Sequence, residues 1–173
     1  TWLRLAGPAE FVRWAKPWLE RRPVAIEIQR AYQDAVDRSD PACDLEAEAA
    51  AMAARSPDDE DLRYLLARAT RDPGLAVERL RACAVRGHAF ALGDLSRREL
   101  MHGGRGAALD LADRAVDARP DSSALRGIRR QAAWAAGRYT ELIEEARARR
   151  SALDLAPLVD EVVLLVQGGR AAE

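Results

Sequence analysis

Lysine is almost missing from this chain and asparagine is missing entirely: Lys16 is the one lysine, and every other basic side chain apart from two histidines is an arginine. We read that bias as one of coding composition rather than as a demand for guanidinium groups. Aromatic residues are scarce, at 5%, and runs of Val, Ile, Thr and Tyr with period-two alternation are nearly absent, which excludes a strand-rich fold. The two cysteines, Cys43 and Cys83, are isolated and lack metal-ligand spacing, so neither a disulfide framework nor a thiolate metal site is expected. Each falls in a helical pattern and suits a small buried thiol of a reducing compartment. No segment reaches the roughly 18 apolar residues of a membrane span, and the first residues do not pattern as a signal peptide. Charge of one sign is lacking too. With 27 basic against 28 acidic residues the formal net charge is -1, too little to draw the chain onto nucleic acid or an anionic membrane. The expectation is a cytoplasmic protein with no nucleic-acid partner, no membrane partner and no cofactor.

What is abundant is alanine, leucine, arginine and glutamate, all strong helix formers, and an all-α fold follows. Proline favours the first turn of a helix, where its missing N–H costs nothing, and Asp, Ser or Gly before it can act as the cap. Gly7-Pro8, Arg22-Pro23, Asp40-Pro41, Ser56-Pro57 and Asp72-Pro73 follow one another at intervals of 15, 18, 16 and 16 residues, by subtraction of the proline positions. Turn signals continue that beat at Gly87-His88, Gly103-Gly104-Arg105-Gly106, Pro120 to Ser123, Gly137-Arg138 and Ser151 to Asp154. About ten helices of roughly 12 to 14 residues are expected, each with an apolar stripe such as Phe11, Trp14 and Trp18 or Leu125, Ile128, Ala132 and Ala136. A period near 34 residues per helix pair predicts an α-solenoid of antiparallel helix-turn-helix units. One domain over 1–173 is expected, with divergent helices over 1–56, the clearest repeats over 57–154 and an incomplete repeat over 155–173.

Superposed at that period, Gly103, Arg105, Ala108, Leu109, Ala112, Ala115 and Pro120 meet Gly137, Tyr139, Leu142, Ile143, Ala146, Arg149 and Asp154. This pattern resembles the tetratricopeptide repeat, with Gly137-Arg138-Tyr139 as its closest local match. The stretch from Asp72 to Ala89, an alanine-rich helix ending in Gly87-His88-Ala89, is similar to the related Sel-type repeat. The usual first-helix tryptophan, glycine and tyrosine fall on Leu92, Ser96 and Glu99 and then on Arg126, Arg130 and Ala133, so the repeats are degenerate. The resemblance implies a concave face lined by the first helix of each pair. In its register Arg63, Arg97 and Gln131 are equivalent, with Arg130 beside the last, a polar and partly cationic row suited to an extended or acidic segment. Family members that clamp a C-terminal carboxylate use lysine and asparagine at positions held here by Asp59, Gly93 and Gly127, so that mode is not expected.

Other chemistry is read structurally. Asp58-Asp59-Glu60-Asp61, with Ser56 as cap and Pro57 in the first turn, fits the positive end of a helix dipole better than a metal site. The glycines at 103, 104 and 106 mark a turn rather than an anion nest, since neither a P-loop lysine nor a preceding strand accompanies them. His88 and His102 flank one helix and suit capping and turn roles. Trp2, Phe11, Trp14 and Trp18 suit packing on the next helix before an interface patch.

The last apolar stripe, Leu155, Leu158, Val159, Val162, Val163, Leu165 and Val166, is the strongest in the chain, and a half repeat does not cover its own face. Leu158, Val159, Val162, Val163, Leu165 and Val166 are therefore expected to dock on a further domain of a longer chain or to form a homodimer. The functional expectation is a protein-interaction scaffold that holds a partner protein or peptide, without enzymatic activity in this chain. The alternative is a non-catalytic accessory region of a larger enzyme such as a transferase.

Overall fold

Helix starts and stops explain most of the architecture. A computed structural model describes residues 7–19, 25–40 and 42–148, and these form nine helices and no strand. They are α1 (Pro8–Leu19), α2 (Ile26–Ser39), α3 (Leu45–Arg55), α4 (Glu60–Ala69), α5 (Pro73–Val85), α6 (Ala89–Met101), α7 (Arg105–Ala118), α8 (Ser123–Ala135) and α9 (Tyr139–Ala148). About ten were expected, and the tenth, with Leu158, Val159, Val162, Val163, Leu165 and Val166, lies outside the described residues.

Two of the proline junctions work as expected. Pro8 opens α1, and Pro73 opens α5 with the Asp72 carboxylate accepting from the Leu75 N–H at 2.7 Å. Two others need correction. Asp40 closes α2, donating its N–H to the Val36 carbonyl at 2.8 Å, and α3 starts four residues later on Asp44, which accepts from the Ala47 N–H at 3.2 Å. Ser56 likewise ends α3 through its N–H to Ala53, and Asp59 caps α4 by accepting from the Leu62 N–H at 3.1 Å. Cys43 consequently sits in the turn before α3 instead of in a helix. Replacing Asp59 with alanine is expected to cost about 1 kcal/mol in urea denaturation, and replacing Ser56 distinctly less. Equal losses would contradict this assignment of the cap.

Three helices end the same way. Gly87, Gly103 and Gly137 have φ of 82°, 81° and 77°, left-handed values that glycine adopts without strain. After each, the next residue's N–H returns to the carbonyl five positions back: His88 to Cys83 at 3.2 Å, Gly104 to Glu99 at 2.8 Å and Arg138 to Ala133 at 2.9 Å. The glycine N–H itself bonds Ala84, Leu100 or Trp134, which completes a Schellman motif each time.

The chain divides into two compact units, one ending at His88 and one beginning at Ala89. In the first, α1 packs on α2, α3 on α4, α4 on α5 and α2 on α4. Its core joins Phe11, Ala15, Tyr32, Ala35, Val36 and Leu45, and Leu62, Tyr64, Leu65, Leu80 and Cys83 are also buried. In the second, α6 packs on α7 and α8, α7 on α8 and α8 on α9. Ala108, Ala112 and Ala115, three of the small residues that carry the repeat resemblance, are each 0% exposed. Ser96, also buried, donates its hydroxyl to the Ala108 carbonyl at 2.7 Å and so ties α6 to α7. A Cβ on Gly93 would stand 2.9 Å from Leu125 Cδ2 and 3.0 Å from Ile128 Cδ1, so the absence of a side chain there sets how closely α6 and α8 approach.

Candidate binding cleft

Within the first unit α2 is fastened to α4 by polar contacts. Gln33 Nε2 donates to the Leu65 carbonyl at 3.0 Å, and Arg30 Nε donates to the Tyr64 hydroxyl at 2.8 Å. Arg68 Nη1 donates to the Arg30 carbonyl at 3.2 Å while Nη2 pairs with Asp34. α3 is held from its other side. Arg79 pairs with Glu46 at 3.2 Å, and Arg71 donates its N–H to Glu46 and its guanidinium to the Cys43 carbonyl. Among the described residues α2 and α3 make no substantial contact with each other.

The α3 sequence, Leu-Glu-Ala-Glu-Ala-Ala-Ala-Met-Ala-Ala-Arg, is rich in alanine, whose methyl groups leave the space beside α2 unfilled. A cleft of about 420 Å³ results, a volume suited to one or two large side chains. Its α2 wall is Gln29, Tyr32 and Gln33, and its α3 wall is Leu45, Glu48, Ala49, Ala51, Met52 and Arg55. Leu65 of α4, Lys16 and Leu19 of α1, and Ser56 complete it.

Three lining side chains are charged: Lys16, Glu48 and Arg55. Lys16 and Arg55 are exposed, and neither forms an ion pair among the described residues. In the turn before α3, burial pushes the Cys43 thiol above its ordinary range, with the Glu48, Asp40 and Asp44 carboxylates adding to the effect and Lys16 opposing it. Burial also raises the Tyr32 phenol, helped by Glu48 and Cys43.

Neither thiol is tuned for nucleophilic work, which requires a depressed pKa. Cys83 is pushed up to about 11, by burial and then by the Glu60 carboxylate. An unfolded thiol would ionise near 9.0, so between those two values the unfolded chain binds fewer protons than the folded one. Stability of the first unit is therefore expected to fall as pH rises from about 9 towards about 11 and to level off above that. Urea titrations across that window should show a smaller fall in Cys83→Ala than in the parent.

The residues expected to line a concave face are found in both units. Arg63 on α4 is half-buried and already engaged, pairing with Glu60 at 2.5 Å and approaching Asp58 at 3.9 Å. In the second unit Arg97 on α6 is exposed and 3.9 Å from Asp94, while on α8 Arg130 is half-buried and Gln131 exposed. The acidic run is absorbed locally: Asp59 caps α4, Glu60 receives Arg63 and Arg86, and Asp61 takes His88 Nε2 at 3.0 Å. His88 does more than turn the chain, since its ring stacks on Tyr64 with centroids 4.5 Å apart, whereas His102 is exposed in the turn after α6. Phe11 is buried and Trp14 is 44% exposed; Trp2 and the Trp18 side chain lie outside the described residues.

A second depression, between α7, α8 and α9, is lined by Val116, Arg129, Glu141, Glu144, Glu145 and Ala148. Arg129 bridges Asp113 at 2.7 Å and Glu145 at 2.6 Å. Burial opposes its charge, but the bond to Asp113 and the surrounding carboxylates outweigh that and raise its pKa. The depression is therefore braced by internal salt bridges.

Among the described residues no group of three or more His, Cys, Asp or Glu side chains could hold a metal ion, and no helix is long and apolar enough to cross a membrane. The cleft went unnoticed in the sequence, where its one signal is the alanine run around Met52. Compared with protein-family models, curated proteins and solved structures, the chain matches none of them.

Proposed function

We propose that this chain is a non-catalytic interaction scaffold of degenerate tetratricopeptide- or Sel-like repeats, which holds a segment of another protein. The observation that carries this reading is the α2/α3 cleft, a space with a largely apolar surface that the fold leaves unfilled, beside which Gln33 and Arg30 are bonded to α4. Interfaces concentrate their binding energy in pockets of that kind, which take one large anchor side chain and exclude water from it. The order of helix contacts supports a stacked-repeat origin, because within each unit helices touch partners one or two places along the chain, and three helix ends share one glycine geometry. Arg97, Arg130 and Gln131 of the second unit are assigned a secondary role as polar contacts to a partner, and Arg63, held by Glu60 in the first unit, is the weakest candidate for such a role.

The test is selection from a random peptide display library on the immobilised folded chain. Convergent peptides that compete with one another and lose binding to a Met52→Arg variant are the expected result. A library that yields no convergent family on correctly folded protein would overturn the reading.

A further inference from the structure

The two helix pairs of the second unit repeat one another at an interval of 34 residues: α6 begins at Ala89 and α8 at Ser123, α7 at Arg105 and α9 at Tyr139, and the left-handed glycines are Gly103 and Gly137. α6 and α8 have 13 residues each, and the fifth residue of each is a glycine, Gly93 in one and Gly127 in the other. Glycine inside a helix is less stable than alanine, so packing has to supply its reason. For Gly93 the reason is α8, which brings Leu125 Cδ2 and Ile128 Cδ1 to 2.9 Å and 3.0 Å from where a Cβ would stand. At Gly127, in the same place on the next helix of the series, no described atom lies within 4 Å of such a Cβ.

Taking the repeat register of the proposed function as its basis, we infer that the chain's own stretch 157–166, which lies outside the described residues, docks on the Gly127 face of α8 as α8 docks on the Gly93 face of α6. Leu125, Ile128 and Ala132, the α8 residues at 0–1% exposure, become Val159, Val162 and Val166 when 34 is added to each number, and all three are apolar. Ser123, the first residue of α8, becomes Pro157 by the same addition, and proline is favoured at a first helical position. Val159 and Val162 therefore take the places over Gly127 that Leu125 and Ile128 take over Gly93. The chain is long enough to bring them there. Eight residues, 149–156, separate the last residue of α9 from Pro157, whereas four, 119–122, carry the chain from α7 to α8. The apolar stripe is thus covered from within the chain, in place of the further domain or second copy expected from the sequence alone.

The test is made on the whole chain. Gly127→Cys combined with Val162→Cys should form an intramolecular disulfide under mild oxidation, about tenfold faster than Gly127→Cys combined with Val163→Cys, because a disulfide needs the two Cβ atoms within about 4.5 Å. Val163 is the equivalent of Arg129, which reaches Asp113 and Glu145. Peptide mapping separates the new bridge from any involving Cys43 or Cys83. Urea denaturation gives a readout without added cysteine. On an uncovered helix face Gly127→Ala raises the midpoint, since alanine is the better helix former. Beneath the docked segment the added methyl cancels that gain, and Gly127→Leu lowers the midpoint. Val162→Ala relieves part of the crowding, so the Gly127→Leu, Val162→Ala double variant should lose less than the two single losses added together.

A raised midpoint in Gly127→Ala, or equal rates of bridging at 162 and 163, overturns the inference. A Val162→Cys bridge found only between two chains on a non-reducing gel also overturns it, because the segment would then sit on a second copy. None of these outcomes bears on the scaffold reading, whose own test addresses the α2/α3 cleft of the first unit.

Discussion

Tyr64→Ala is expected to destabilise the first unit by about 3–5 kcal/mol, the loss typical of deleting a fully buried aromatic ring. Tyr64 is 0% exposed. Its ring stacks on His88, its face lies 5.9 Å from the Arg30 guanidinium, and its hydroxyl accepts from Arg30 Nε at 2.8 Å. Removing the ring takes away three kinds of contact at once and leaves a cavity in the core of the unit. Against a typical domain stability of about 5–15 kcal/mol such a loss brings the unit close to unfolding at room temperature. Tyr64→Phe keeps the ring and removes only the acceptor for Arg30, so about 1–3 kcal/mol is expected. Urea denaturation followed by circular dichroism at 222 nm, the standard helix signal, reads both. If the alanine variant lost no more than the phenylalanine one, burial of the ring would not be what stabilises this unit.

Ile128→Ala carries the second large effect, about 2–5 kcal/mol, because Ile128 is 1% exposed between α6 and α8. Its value lies in combination with Gly93. Gly93→Ala alone adds a methyl where Leu125 and Ile128 already stand within 3.0 Å, an overpacking cost of about 1–3 kcal/mol, offset by about 1 kcal/mol of helix propensity. With Ile128 shortened to alanine, one of the two obstructing methyl groups is gone and the propensity gain survives. The double variant should therefore be less destabilised than the two single losses added together, by about 0.5–3 kcal/mol. Strict additivity would mean that α6 and α8 do not meet at Gly93.

These two sites show what could be read from the sequence and what could not. Leu125 and Ile128 were legible because their spacing puts them on one helix face, and all nine described helices follow the beat of prolines and glycines. The small residues Ala108 and Ala112 were legible through the repeat register. Cap assignment was harder. Between Asp40 and Asp44, and again between Ser56 and Asp59, two capable side chains lie within four residues, and which one accepts the first-turn N–H depends on where the preceding helix stops. Gly93 was noticed only as a departure from the family pattern, since nothing local reveals that another helix passes within reach. The cleft was the least legible feature. It lies between α2 and α3, which make no substantial contact with each other, and what holds α3 elsewhere, such as the Arg79–Glu46 pair, joins residues 33 positions apart.

The alanine composition of α3 also bears on how this surface can change. Where a pocket is walled by large side chains, altering its shape means displacing packed atoms, and the whole domain is weakened in proportion. At Ala51 an added side chain grows into vacant space and leaves the core contacts of Leu45 and Ala49 as they are. On the scaffold proposed above, recognition would be rewritable one residue at a time on this helix, with the stability of the molecule largely uncoupled from the choice of partner.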